Sequence, residues 1–396
     1  MINTIDLFSG IGVIVDDDLA FEKKGNGDQI WRIKTSFEEH NIPLLLYTEL
    51  PNGSECHFDS ISFLLLDWDL LGLEAGIPLP EPVIADNIAF IKAMRECNFV
   101  PIFIFSNEDP NSIIQKLQEA DLYKVGDNNH IFVKGKNELD DSKKLFSEIE
   151  SWLKNTPSIY VLKEWEKALK RAKHNLFWDF YEISPDWPMI LQDTFEEDGV
   201  DKNFELNAVI FKNLIARTSS VIFDNDVLKV DEAKVSKKEL RQLLECERLL
   251  TRDIPQIPSF GDLYKLEYLE KGVTKYSYWI NIRPDCDILR QGEDVELYCI
   301  KGRVVDESKI NSEGESNIIF EKGELREKTN NAYVSFIDGG KIIEFQLRCL
   351  KIRKWSDLRE NRIGRLLPPY ITRLQQKYLF YLQRQALPAI PAKAIV

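Results

Sequence analysis

The stretch ISFLLLDWD at 61–69 decides the fold. Six residues of almost unbroken apolar character end abruptly in an acid, a tryptophan and a second acid. A run that short and that continuous predicts a strand buried on both faces, as in a parallel sheet covered by helices. Working outward, IGVIV at 11–15, IPLLLY at 42–47, PIFIF at 101–105 and HIFV at 130–133 have the same texture. The intervening segments QIWRIKTSFEEH (29–40), DNIAFIKAMREC (86–97), NSIIQKLQEADL (111–122) and LDDSKKLFSEIESWLK (139–154) carry apolar residues at helical spacing. Only ELPNGSECHFDS at 49–60 is too short and turn-rich for a helix. The expectation is a five-stranded, doubly wound α/β domain over 1–155 that lacks most of one helix.

Beyond it, 156–257 predicts a helical connector, broken by SPDWP at 184–188 and IPQIP at 254–258 because proline cannot continue a helix. Its stripe Trp165, Leu169, Phe177 and Phe180 is expected in a core. From 258 to 356, segments such as KYSYWINI, DVELYCIKGRVV, SNIIFEKG and KIIEFQLRCLKI alternate in the manner of strands, and DGGK at 338–341 suits a hairpin turn. A β-rich barrel or sandwich is expected there. Residues 357–396 predict a basic amphipathic helical tail with Ile371, Leu374, Tyr378 and Leu382 on one face.

With 51 basic against 65 acidic side chains the net charge is −14, which argues against nucleic acid as a partner of the whole chain. No apolar run is long enough to span a bilayer, and no secretory leader precedes the first strand, so a cytoplasmic, membrane-free protein is expected. The cysteines at 56, 97, 246, 286, 299 and 349 lie far apart and predict free thiols. The histidines at 40, 57, 130 and 174 form no zinc spacing, and NIRPDCDI at 281–288 predicts a strand-end turn with a buried thiol.

Ligands of open α/β sheets bind beyond the carboxyl ends of the strands. Here those ends carry Asp16, Asp17 and Asp18, then Asp67 and Asp69, then Ser106, then Lys134. Carboxylates gathered at one edge repel unless a cation offsets them, and Mg2+ is the hard cation that suits them. An ionised acid, a metal, a hydroxyl and an ammonium together suit phosphoryl transfer to a carboxylate.

With VIVDDD (13–18), LLLDWD (64–69), IFIFS (102–106) and IFVK (131–134) in that order, the first 155 residues resemble a two-component response-regulator receiver domain. The resemblance implies a flavodoxin-like sheet, with Asp67 as phosphoacceptor. It implies Asp16, Asp17, Asp67 and the backbone carbonyl of Asp69 around Mg2+, and Ser106 with Lys134 against the phosphoryl group. It further implies a phosphoprotein served by a histidine-kinase-like sensor, acting on an effector subunit, with homodimerisation open. Departures are the absent prolines after Asp67 and after Lys134, the enlarged loop LGLEAGIPLP at 71–80, and Ile131 in place of the usual aromatic. The overall layout also resembles receiver proteins of bacterial anti-phage defence systems. Two alternatives stand beside this reading: a docking scaffold in which phosphorylation is vestigial, and a haloacid-dehalogenase-like phosphohydrolase. The latter would use Asp67 as nucleophile, Asp69 as acid and Asp140 with Asp141 as the late acidic pair.

Overall fold

A computed structural model describes residues 7–20, 29–51, 58, 60–73, 77–126, 128–139, 141–197, 201–218, 221–229, 236–289, 295–305, 320–321, 324–325 and 331–383. The chain divides into two units, Met1–Pro185 with Ile210–Val230, and Asp186–Val209 with Asp231–Val396. The four segments expected from the sequence thus regroup. The proposed connector contributes to both units, and the basic tail is part of the second.

In the first unit β1 (Gly12–Val15), β2 (Leu44–Tyr47), β3 (Phe63–Leu66), β4 (Ile102–Ser106) and β5 (Ile131–Gly135) form one all-parallel sheet in the order β2-β1-β3-β4-β5. Helices α1 (Gln29–Glu39), α2 (Glu81–Cys97), α3 (Pro110–Glu119) and α4 (Ser142–Lys154) cover it. Most of the turn-rich segment 49–60 between β2 and β3 lies outside the described residues. All four residues of β1 and β3 are buried, which is why they read as continuous apolar runs rather than alternating ones. Alternate side chains feed two cores. Ile14, Phe63, Leu65, Phe103 and Phe105 meet α1 and α4 on one face. Val13, Val15, Leu64, Leu66, Ile102 and Ile104 meet α2 and α3 on the other. Gly12 lies directly across from Phe63, whose ring occupies the space a Cβ would need, at 2.3 Å.

The predicted helix beyond residue 156 is α5 (Pro157–Ile183), and its first turns complete the first unit's core through Ile159 and Tyr160. Lys163 is buried and donates to the carbonyl of Ser62 at 2.6 Å, and Lys170 donates to that of Ser9 at 3.3 Å. Two ammonium groups therefore hold α5 to the amino-terminal edge of the sheet. The expected stripe does not form a core: Trp165 and Phe177 are exposed, and Ala172 and Leu176 are buried instead. The chain returns to the same unit from Ile210, and there Val227 joins the core and the Asp224 amide donates to the Tyr160 hydroxyl.

Further on come α6 (Trp187–Glu197), α7 (Lys202–Thr218) and α8 (Lys237–Arg248). The second unit is built on an open, curled antiparallel sheet of seven strands, ordered β12-β13-β9-β8-β7-β14-β6. Its members are β6 (Leu249–Leu250), β7 (Asp262–Glu270), β8 (Val273–Asn281), β9 (Glu296–Val305), β12 (Asn331–Ile337), β13 (Lys341–Lys354) and β14 (Arg362–Leu366). The short pair β10 (Phe320–Glu321) and β11 (Glu324–Leu325) stands apart. The DGGK turn joins β12 to β13 with positive φ at Asp338, Gly339 and Gly340, which glycine tolerates without strain.

Of the expected tail, 362–366 is a sheet strand, and the terminal helix Tyr370–Leu382 packs Ile371 and Leu374 into the core while leaving Leu382 exposed. Residues 384–396, Cys56, His57, Asp140 and most of SNIIFEKG lie outside the described residues.

Two cysteine expectations are corrected. Cys97 is disulfide-bonded rather than a free thiol. Cys286 is exposed, because Asp285–Leu289 forms a short helical turn in which Asp285 instead accepts from the Ser259 hydroxyl and the Phe260 amide, both at 2.7 Å. Among the described residues, no helix is long and apolar enough to cross a membrane.

Candidate functional site

Strand order reverses direction between β1 and β3, and the carboxyl ends of these two neighbours lie side by side. The ladder continues one residue past each strand. The Asp16 amide donates to the Tyr47 carbonyl and the Asp67 amide to the Val15 carbonyl, both at 2.9 Å. Both carboxylates are thereby fixed at the same edge, and both are buried. Asp17 opens a 3-10 turn, Asp17–Ala20, and remains half-buried. Ligand oxygens of Asp16, Asp17 and Asp67 all lie within 4.8 Å of one another.

Among the described residues the lysine in this cluster is Lys136, which the sequence reading passed over. Its Nζ lies 2.6 Å from Asp67 Oδ2, 2.7 Å from Asp16 Oδ2 and 4.0 Å from Asp18 Oδ2, and the side chain is buried. Lys134 points elsewhere and pairs with Glu138 at 3.1 Å and Glu148 at 3.2 Å. The physical reason is the strand's length. β5 runs on to Gly135, so position 134 is still within the ladder, on the same face as Phe132, and the tip residue is 136. The signal was present in the sequence as KGK at 134–136, a lysine on either side of a residue that lets the chain turn.

Ser106 ends β4, is buried, and hydrogen-bonds the Asp67 carboxylate; the Glu108 amide reaches its Oγ at 3.4 Å. The Asp69 amide donates to Asp67 Oδ1 at 3.2 Å, while its own carboxylate accepts from the amides of Leu71 (3.0 Å) and Leu73 (2.8 Å). Asp69 is thus the staple of the enlarged loop. Gly72 in that loop adopts φ +63° and comes so close to Asp17 that a Cβ would sit 2.8 Å from its Oδ2. A second residue missed in sequence is Asn87 on α2, buried, whose Nδ2 donates to the Trp68 carbonyl at 2.7 Å and so fixes the turn after Asp67.

Burial dominates the electrostatics. It pushes Asp16 up to about 7, with Lys136 opposing and Asp67 and Asp18 adding to the rise. Burial, then Asp18 and Asp67, pushes Asp17 up to about 6. Asp67 is likewise raised by burial, against the pull of Lys136, Ser106 and the Asp69 amide. Burial works against the Lys136 ammonium as well, but Asp67 and Asp16 outweigh it and hold it charged. One ammonium therefore does not balance three gathered carboxylates, and Asp16 Oδ2 has no hydrogen-bond partner of good geometry beyond its ion pair. That donor set fits a hard divalent cation such as Mg2+, which Asp16, Asp17 and Asp67 could hold with water completing its shell.

Of the residues the phosphohydrolase alternative would use, the Asp69 carboxylate accepts from two loop amides. Asp141 caps α4 by accepting from the Lys144 amide at 2.8 Å, and Asp140 lies outside the described residues. No family model matches the chain, and neither the curated proteins nor the solved structures contain a match to it.

Proposed function

We propose that the first unit is a divergent receiver that accepts a phosphoryl group on Asp67 from the phosphohistidine of a partner kinase. The observation that carries this reading is the convergence of Lys136 at 2.6 Å and the Ser106 hydroxyl on one buried carboxylate, with Asp16 and Asp17 beside it. Strand order 2-1-3-4-5, which is that of flavodoxin-like sheets with ligands at the β1/β3 crevice, supports the fold assignment. In the transfer, an oxygen of Asp67 forms a bond to phosphorus while the donor's N–P bond breaks. The electron pair stays on the imidazole nitrogen, which takes up a proton from solvent. Lys136, with Lys134 left to its surface pairs, neutralises the charge gathering on the phosphoryl oxygens, and Ser106 donates to one of them.

A resident Mg2+, held by Asp16, Asp17, Asp67 and the Asp69 carbonyl, would supply charge neutralisation for the incoming group. The new charge re-orders Ser106 and Lys136 around the phosphoryl group and changes affinity for a separate effector subunit in a bacterial signalling, and by resemblance anti-phage, setting.

Incubating the full chain with acetyl phosphate and magnesium should add one hydroxylamine-labile phosphoryl group, and Asp67→Asn should abolish it. Persistent labelling of the variant would sink the assignment. Absence of any labelling of the wild type, together with no beryllofluoride binding, would favour the docking-scaffold reading.

A further inference from the structure

Past its anchor points at Lys163 and Lys170, α5 continues for three more turns whose outer face is not covered. At about 100° per residue, Arg171, His174, Trp178, Tyr181 and Glu182 fall within an arc of about 100°. The buried Ala172 and Leu176 point the opposite way. Trp178 is 51 % and Tyr181 52 % exposed. The second half of α7 belongs to the same unit, is tied to α5 by Arg217–Asp179 at 2.6 Å, and adds Phe211 and Ile215, 61 % and 69 % exposed. Helices draw most of their stability from packing an apolar face, yet no residue of α7 is buried. A surface of this kind marks an interaction site.

Charge along the helix indicates what covers it. Within α5, residues 163–173 hold five Lys or Arg against Glu164 and Glu166, whereas 174–183 hold Asp179 and Glu182 and neither Lys nor Arg. One helix thus carries both halves of a complementary pair in opposite directions, as a self-complementary two-fold interface requires. Laid antiparallel about an axis near Leu176, each residue faces the one whose number makes a nearly constant sum with its own. Arg171 then meets Glu182, and His174 meets Trp178, on the exposed side of the helix. Neither Arg171 nor Glu182 has an ion-pair partner among the described residues.

We propose that a second copy of this chain covers the outer face of α5, packed antiparallel on its counterpart, with His174 and Trp178 at the centre and Tyr181 beside the reciprocal Arg171–Glu182 pairs at the flanks. An unrelated partner would have to supply both charge signs in the right order, which the chain's own copy does without further assumption. The anchors of α5 bond the carbonyls of Ser62 and Ser9, which precede the strands that Asp67 and Asp16 follow, and the interface does not depend on phosphoryl transfer.

Sedimentation velocity of the full chain across a wide dilution series tests this. The wild type should run at twice the chain mass, and Trp178→Glu should run as a monomer with an unchanged circular-dichroism spectrum. Arg171→Glu and Glu182→Lys should each weaken the dimer about tenfold by placing like charges opposite one another, and the combined charge swap should restore it. A wild type that is monomeric at every concentration overturns the proposal. So does a dimer indifferent to Trp178→Glu, or a double variant no tighter than either single one.

Discussion

Lys136 and Lys134 stand two residues apart and differ in almost every physical respect, which makes them the sharpest test of the site. Removing Lys136 leaves Asp16 and Asp67 buried without their countercharge, a loss of about 3–5 kcal/mol by analogy with broken buried pairs. Removing Lys134 breaks two partly exposed pairs and should cost about 0–1 kcal/mol. Urea unfolding of Lys136→Ala and Lys134→Ala checks both values, and equal effects would mean that the cluster is not a single electrostatic unit.

The same carboxylates predict a pH dependence. An unfolded aspartate titrates near 3.8, whereas folded Asp17 and Asp16 are pushed up to about 6 and about 7. Between those limits the folded state holds more protons than the unfolded one, so their contribution to stability falls as pH rises from about 4 to about 7. Metal-free wild type should therefore lose more stability over that range than Asp17→Asn, and excess magnesium should flatten the difference. Parallel pH profiles for the two proteins would contradict it. The acids and Ser106 were legible in sequence because each directly follows an apolar run. Lys136 was not, because a strand of alternating burial hides where it ends, and Asn87 was not, because its role is a contact across nineteen residues.

Among the elements, the parallel strands were readable for a simple reason: burial on both faces leaves no room for a polar residue until the strand is over. The closest approach within the sheet, Gly12 against the Phe63 ring, was not readable, since nothing local to Gly12 announces a partner fifty-one positions away. Gly12→Ala should overpack this contact and cost about 1–3 kcal/mol in denaturant unfolding. The helical stripe on α5 misled for the opposite reason. Periodicity identifies an apolar face but not what covers it, and beyond the first turns of α5 the covered positions are Ala172 and Leu176 rather than the larger Trp165 and Phe177.

For the whole molecule, the boundaries drawn by composition follow changes of texture, while the units follow contacts. The first unit needs Ile159 and Tyr160 from α5 and Val227 from beyond α7. A fragment ending at residue 155 should accordingly unfold at lower urea than one ending at residue 230, by an amount near the burial of these three side chains, about 4–9 kcal/mol. Equal midpoints would restore the shorter boundary.

The second unit has an analogous debt in time rather than in space. β14 sits between β7 and β6, and Arg362 and Arg365 close on the buried Asp262, the first of these pairs spanning 100 residues. During synthesis, β6 and β7 leave the ribosome long before the strand that separates them. Until it arrives, Asp262 has neither arginine and two strand edges are open to any passing chain. Nascent-chain aggregation, and a call on chaperones, should be concentrated in that window of translation.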